Sequence, residues 1–244
     1  MLRVKTIFAL CAAVFIFSNC NPVYRASSLQ YKEYRVMNLR TDSSLQSFLQ
    51  PYRDSMSSNM NVMIAALETD LEKGQPECTL GNFMADAMMV MAEKKIGVKP
   101  DISFVNYGGI RLPSVKAGVV TRGKFYELFP FDNLLVIVTI KGDVLQQFLD
   151  HISARGGWPV AGMRMQIQNK KAVNISINGA PLDPSKEYKI ALGDYTANGG
   201  DDAAMLKGLP QLNKGYLMRD AFIDYAAALQ TIKGALQKRV SYVE

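Results

Sequence analysis

Histidine occurs once in these 244 residues, at His151, and cysteine three times. A hydrolytic centre built on two metal ions needs several histidine and carboxylate ligands, because each ion takes several protein donors and keeps a position open. One histidine does not supply that set. A Ser-His-Asp triad would have to recruit the same His151, and the chain holds no His-Glu-x-x-His spacing, no Walker-type glycine loop and no G-x-S-x-G elbow. His151 falls in an amphipathic stretch, where a surface or half-buried histidine is the expectation. Lysines and arginines form no stripe interleaved with aromatics, so nucleic acid is not an expected partner. Carboxylate-only catalysis stays open without a pair to carry it; residue types alone favour binding over catalysis.

At the N-terminus, MLRVKTIFALCAAVFIFSNC places Arg3 and Lys5 before an apolar run over residues 7–17. That run is too short to span a bilayer comfortably and has the form of a signal peptide, so the mature protein is expected to be exported. Phe17-Ser18-Asn19-Cys20 resembles a bacterial lipoprotein signal, although Phe17 and Asn19 depart from its small-residue pattern. It implies a lipid anchor on Cys20 and a place on the periplasmic or surface side of the cell envelope, ordinary cleavage nearby being the alternative. Cys11 goes with the signal and Cys20 with the lipid, which leaves Cys78 as the single thiol of the folded part and no intramolecular disulfide. Without Arg3 and Lys5 the chain keeps a mild basic excess, suited to a small anionic ligand.

Residues 1–20 thus read as signal, 21–42 as a polar tether with a strand at 30–39, and 43–244 as one domain. Helical spacing begins at residue 44, with Asp42 and Ser43 as candidate caps and Pro51 as a possible break. Residues 79–95 and 142–154 predict helices, the first capped by Thr79, and 219–236 predicts a closing helix. Strands are predicted at 61–67, 101–106, 125–128, 134–140, 164–168, 173–177 and 188–193, with a turn at Asn178-Gly179. The run at 134–140 is continuous in Leu, Val and Ile, as in a strand buried on both faces. Helices and strands mix without strict alternation or internal repeat, which predicts an α/β or α+β domain.

Four blocks occur in order: Leu80-Gly81-Asn82 with Asp86-Ala87-Met88, NYGGIR at 106–111, Pro130-Phe131-Asp132-Asn133, and YTANGGD at 195–201. Each is weak alone. As an ordered set they resemble the C-terminal domain of the bacterial 5'-nucleotidase and UDP-sugar hydrolase family, from about residue 44 to near the end of the chain. The resemblance implies a four-layer α/β/β/α domain that grips a nucleotide. Hydrolysis in that family belongs to a separate N-terminal metallophosphoesterase domain carrying two metal ions, and the scarcity of histidine agrees with a chain that has only the C-terminal half.

Carried over residue by residue, the resemblance implies that Arg111 contacts phosphate. A guanidinium meets phosphate oxygens through a planar fork of donors, and Gly108 and Gly109 would let the backbone turn sharply enough to point it inward. A plain glycine turn with a solvated arginine is the alternative. Phe131 and Tyr195 match the aromatics that sandwich the base, a sequence-tolerant contact; core packing at a strand entry is the other reading of Phe131. Asn133 has donor and acceptor for a base edge, or serves as a turn residue. Asp201, after Gly199 and Gly200, matches an acceptor for ribose hydroxyls, with Asp202 beside it as a rival. Asn82 and Asp86 are expected to serve capping and packing.

Enzymes of the family often carry further arginines just before the Leu-Gly-Asn block. Here that segment is ETDLEKGQPECT, whose one cation, Lys73, would replace them only in part. The leading expectation is a nucleotide-recognising lipoprotein, with no cofactor of its own, that pairs with a separate metallophosphoesterase chain holding divalent metal ions. The alternatives are a stand-alone surface receptor for nucleosides or nucleotides, and a family member kept for a structural role. An intrinsic nucleotidase is the least expected.

Overall fold

The computed structural model describes Lys32 and residues 42–243. The predicted signal with Cys20, and the tether and strand before residue 42, lie outside the described residues except for Lys32. Asp42 opens helix α1 (Ser43–Met60), its Oδ1 accepting from the Ser44 and Leu45 amides at 2.9 and 3.2 Å and from the Ser44 hydroxyl. Those bonds hold the Asp42 carboxyl below its usual pKa. The helix runs through Pro51 without a break, and no residue of α1 is buried. Residues 47–244 form one compact unit.

Its central sheet is five-stranded, in the order β12-β6-β11-β3-β7: β3 (Ile102–Phe104), β6 (Leu134–Lys141), β7 (Val160–Ala161), β11 (Glu187–Gly193) and β12 (Gln211–Leu217). Strand β11 runs parallel to β3 and antiparallel to β6. As its apolar run requires, β6 faces two cores. Leu135 and Ile137 join helices α2 (Thr79–Met91), α3 (Arg122–Leu128) and α6 (Met218–Leu229) on one side. Val136, Val138 and Ile140 join helix α4 (Gly142–Ser153) on the other. The second core also takes in a four-stranded sheet, β10-β9-β8-β14, made of β8 (Met163–Gln168), β9 (Lys171–Ile177), β10 (Ala180–Pro181) and β14 (Val240–Tyr242). Helix α4 packs against both sheets. Strands β1 (Met63–Leu67), β2 (Leu71–Glu72), β4 (Ser114–Val115), β5 (Gly118–Thr121) and β13 (Thr231–Ile232) complete a three-stranded and a two-stranded sheet. The domain is mixed α/β, as expected.

Several local expectations change. Residues 125–128 belong to α3 rather than a strand, because Phe125 and Leu128, three apart, are both buried on one helical face. Helix α6 ends at Leu229, where Gln230 takes φ 61° and the chain turns into β13 beside β1. The edge strand β12 carries no sequence signal, since most of its residues are exposed on both faces. Cys78, not Thr79, caps α2: its Sγ accepts from the Gly81 amide at 3.3 Å, and the Thr79 hydroxyl accepts instead from the Glu72 amide. Asn82 donates to Glu77 and to the Ala235 carbonyl, and Asp86 pairs with Arg239 at 2.8 Å, so both tie α2 to the C-terminal segment.

Candidate functional site

Strands β3 and β11 are parallel neighbours, and the antiparallel β6 begins where β11 ends, with Gly193 opposite Leu135. Three segments far apart in sequence therefore emerge at one edge of the sheet: the turn after β3, the loop before β6, and the short helix α5 (Asp194–Ala197) after β11. The carboxyl ends of parallel strands are where open α/β sheets present ligand crevices. A cavity of about 390 Å³ lies here, lined by Asn106, Gly108, Gly109, Arg111, Phe131, Asn133, Tyr195 and Asp201. Seven of these eight were singled out in the sequence; Asn106 was read only as part of its motif.

The turn is a single 3-10 turn over Tyr107–Gly109, closed by the Gly109 amide on the Asn106 carbonyl at 3.0 Å. Its glycines act differently from expectation, because neither has positive φ and no sharp turn depends on them. Gly109 is required for space: a Cβ there would lie 2.7 Å from the Asn106 side-chain oxygen and 2.7 Å from the Phe129 ring. A Cβ on Gly108 would meet nothing within 4 Å. Beyond the turn, the Arg111 amide is fixed by the Leu128 carbonyl at 2.9 Å while its side chain reaches the cavity. The guanidinium lies 4.8 Å over the Phe131 ring and has no ion-pair partner among the described residues. That cation–π contact is worth about 0.5–1 kcal/mol at an exposed site, less than a bidentate anion would offer.

Lys73 is spoken for. Its ammonium donates to the Ile110 carbonyl at 2.7 Å and sits 4.2 Å over the Tyr107 ring, so Arg111 is the one cation among the lining residues. Burial, and then the charge of nearby Arg111, push the Lys73 pKa below its ordinary value.

Phe131 packs edge-on against buried Phe129 at 5.5 Å, and Arg219 of α6 holds its loop. Arg219, 5% exposed, donates to the Phe131 carbonyl at 3.1 Å, pairs with Asp132 at 2.7 Å and lies 4.0 Å over Tyr126. The Asn133 carbonyl accepts from the Met218 amide at 2.9 Å, which leaves the half-buried Asn133 side chain at the cavity wall. Sequence reasoning missed Arg219: a lone arginine at a helix start carries no motif.

On the opposite side, Asp194 accepts from the Leu134 and Tyr195 amides at 2.9 and 2.8 Å and seats α5 on β6. Gly199 has φ 94°, and a Cβ on Gly200 would lie 2.5 Å from the Tyr195 ring, so both glycines are needed for the loop to fold against that ring. Asp201 and Asp202 both take left-handed backbone, with φ 52° and 59°. Their side chains part. Asp201 accepts from the Asn106 amide group at 3.0 Å and lines the cavity, whereas Asp202, 87% exposed, pairs with Arg155 at 2.9 Å. His151 is half-buried, as read, and its Nε2 lies 2.8 Å from the Asp201 carbonyl.

Among the described residues, no group of three or more His, Cys, Asp or Glu side chains is placed to hold a metal ion. The arrangement offers two aromatic faces, one guanidinium without an ion-pair partner among the described residues, two amides and one carboxylate around a cavity of small-molecule size.

Residues 58–208 match the family described as 5'-nucleotidase, C-terminal domain. The 5'-nucleotidase of Vibrio parahaemolyticus is 29% identical over 198 residues, which are 75% of this chain and 34% of that protein. Among solved structures, the 5'-nucleotidase precursor of Thermus thermophilus superposes with a TM-score of 0.73 at 27% identity, over 83% of this chain and 43% of that one. The NAD nucleotidase of Haemophilus influenzae shares the fold, with a TM-score of 0.65 at 17% identity, over 82% of this chain and 41% of that one. The chain spans about a third of the length of the Vibrio protein it matches.

Proposed function

This chain belongs to the family of 5'-nucleotidase C-terminal domains, and on that premise we propose that it recognises nucleotides for a separately encoded metallophosphoesterase subunit, the two forming a split 5'-nucleotidase. The observation that carries the reading is the convergence of Arg111, Phe131, Asn133, Tyr195 and Asp201 on one cavity of about 390 Å³. Phe131 and Tyr195 take the base between them, with Asn133 at its edge. Asp201 accepts from the ribose hydroxyls, and Arg111 exchanges its contact with Phe131 for the phosphate. Gly108 leaves open space at the turn, Gly109 and Gly200 make room for Phe129 and the Tyr195 ring behind the two walls, and Gly199 supplies the positive φ of the second. The domain's task is orientation, which holds the phosphoester where the partner's divalent ions supply the hydrolytic chemistry. A lipid on Cys20 would keep the pair at the envelope membrane.

The test has two parts. Calorimetry on the full chain with adenosine and AMP should show both binding, with AMP tighter by what Arg111 contributes. Co-expression with a metallophosphoesterase chain from the same genome should then yield a complex that hydrolyses AMP, while neither chain does so alone at a comparable rate. Binding without any such complex supports a stand-alone receptor; binding of neither ligand sinks the reading.

A further inference from the structure

His151 and Arg155 lie outside the cavity lining, yet both reach the loop that carries Asp201. Arg155 donates from one guanidinium nitrogen to His151 Nδ1 at 3.0 Å and from another to the Asp202 carboxylate at 2.9 Å. An arginine can only donate, so Nδ1 accepts and the ring proton sits on Nε2, facing the Asp201 carbonyl at 2.8 Å. One neutral tautomer satisfies the whole chain of contacts from α4 to the loop. That loop gains from being held, because two successive residues there adopt left-handed backbone, which Asp visits more readily than most L-residues but usually singly.

We propose that His151, oriented by Arg155, is a positioning residue for ribose recognition: its Nε2–H fixes the Asp201 carbonyl so that the Asp201 carboxylate, rather than that of Asp202, faces the cavity. Asn106 steadies the same carboxylate from the front at 3.0 Å. The inference rests on the reading of Asp201 as the acceptor of ribose hydroxyls, and extends it to two residues that touch no ligand.

The experiment compares adenosine with 2',3'-dideoxyadenosine, which keeps base and ring but lacks the diol, by calorimetry on the full chain. Wild type should favour adenosine by about tenfold or more, the diol's bonds to a charged acceptor being the difference. His151→Leu should cut that advantage below roughly threefold and leave dideoxyadenosine affinity within about twofold. His151→Gln, whose amide can donate in the place of Nε2–H, should restore most of it, and Arg155→Met should give an intermediate loss. No preference in wild type overturns the reading of Asp201 and the inference with it. A wild-type preference that His151→Leu keeps intact overturns the inference alone, as does an equal loss for both ligands in His151→Leu and Arg155→Met.

Discussion

Phe131 and Tyr195 face the same cavity, but they are held in opposite ways. Phe131 is half-buried, set edge-on against Phe129 and backed by buried Arg219, so its wall is an outgrowth of the core shared by α2, α3 and α6. Tyr195 is 48% exposed, and its wall is a loop with two left-handed residues held by polar contacts from Asn106, His151 and Arg155. Substitutions in the first wall should therefore cost stability before they cost recognition, and substitutions in the second should do the reverse. A wall rooted in the apolar core thus faces a wall held by polar contacts.

The comparison is tested hardest at Arg219. Arg219→Ala removes a charge-assisted bond to Asp132, a bond to the Phe131 carbonyl and the stack on Tyr126, and leaves a void. The expected cost is about 3 kcal/mol, or roughly 6–12 °C in Tm for a domain of this length. An unchanged Tm would show that the first wall does not depend on the core beneath it. Next in size is Gly109→Ala, where the added carbon meets Asn106 and Phe129; overpacking of this kind costs about 1–3 kcal/mol. Gly108→Ala, with open space at its Cβ, should leave Tm unchanged, and equal losses at the two glycines would mean that backbone freedom rather than space selects them.

In the loop wall, Tyr195→Ala should lower Tm by no more than about 2–4 °C, less than Arg219→Ala, since the ring is half exposed and loses one neutral hydrogen bond, that from the Asp201 amide to its hydroxyl at 3.3 Å. Adenosine affinity should fall by on the order of 1–3 kcal/mol, tenfold or more, if the ring stacks on the base. A fall in Tm with affinity unchanged would place Tyr195 in the framework and reverse the contrast between the walls.

Both walls were legible in the sequence to different depths. The blocks at 106–111, 130–133 and 195–201 contain every lining residue, and a strand was read beside each of them, but the strand order that brings the three together at one sheet edge was not. What each glycine does was not legible, because space at Gly109 depends on Phe129 and space at Gly200 on the Tyr195 ring, contacts that no local pattern encodes. Nor were the supports. Arg219 lies 88 residues from the carbonyl it holds and His151 lies 50 from Asp201, so their roles depend on how α6 and α4 pack. Residues 125–128 misled for a simpler reason: two buried aliphatic or aromatic positions three apart satisfy a strand-length apolar window and a helix turn equally well.

The smallest expected effect is also the finest discrimination within the loop wall, between neighbouring aspartates. Asp201→Asn keeps a side chain that tolerates left-handed backbone but exchanges a charged acceptor for a neutral one, so adenosine affinity should fall by about 1–2 kcal/mol while stability holds. Asp202→Asn removes an ion pair between Arg155 and a carboxylate that is 87% exposed, where water and salt already screen the attraction. Its effect on adenosine affinity should stay within about twofold, and the residual change should disappear as salt is raised. If the two substitutions were equivalent at low salt and both effects faded as salt was raised, the loop would act through net negative charge near the cavity, and the separation of the two carboxylates by His151 and Asn106 would carry no specificity.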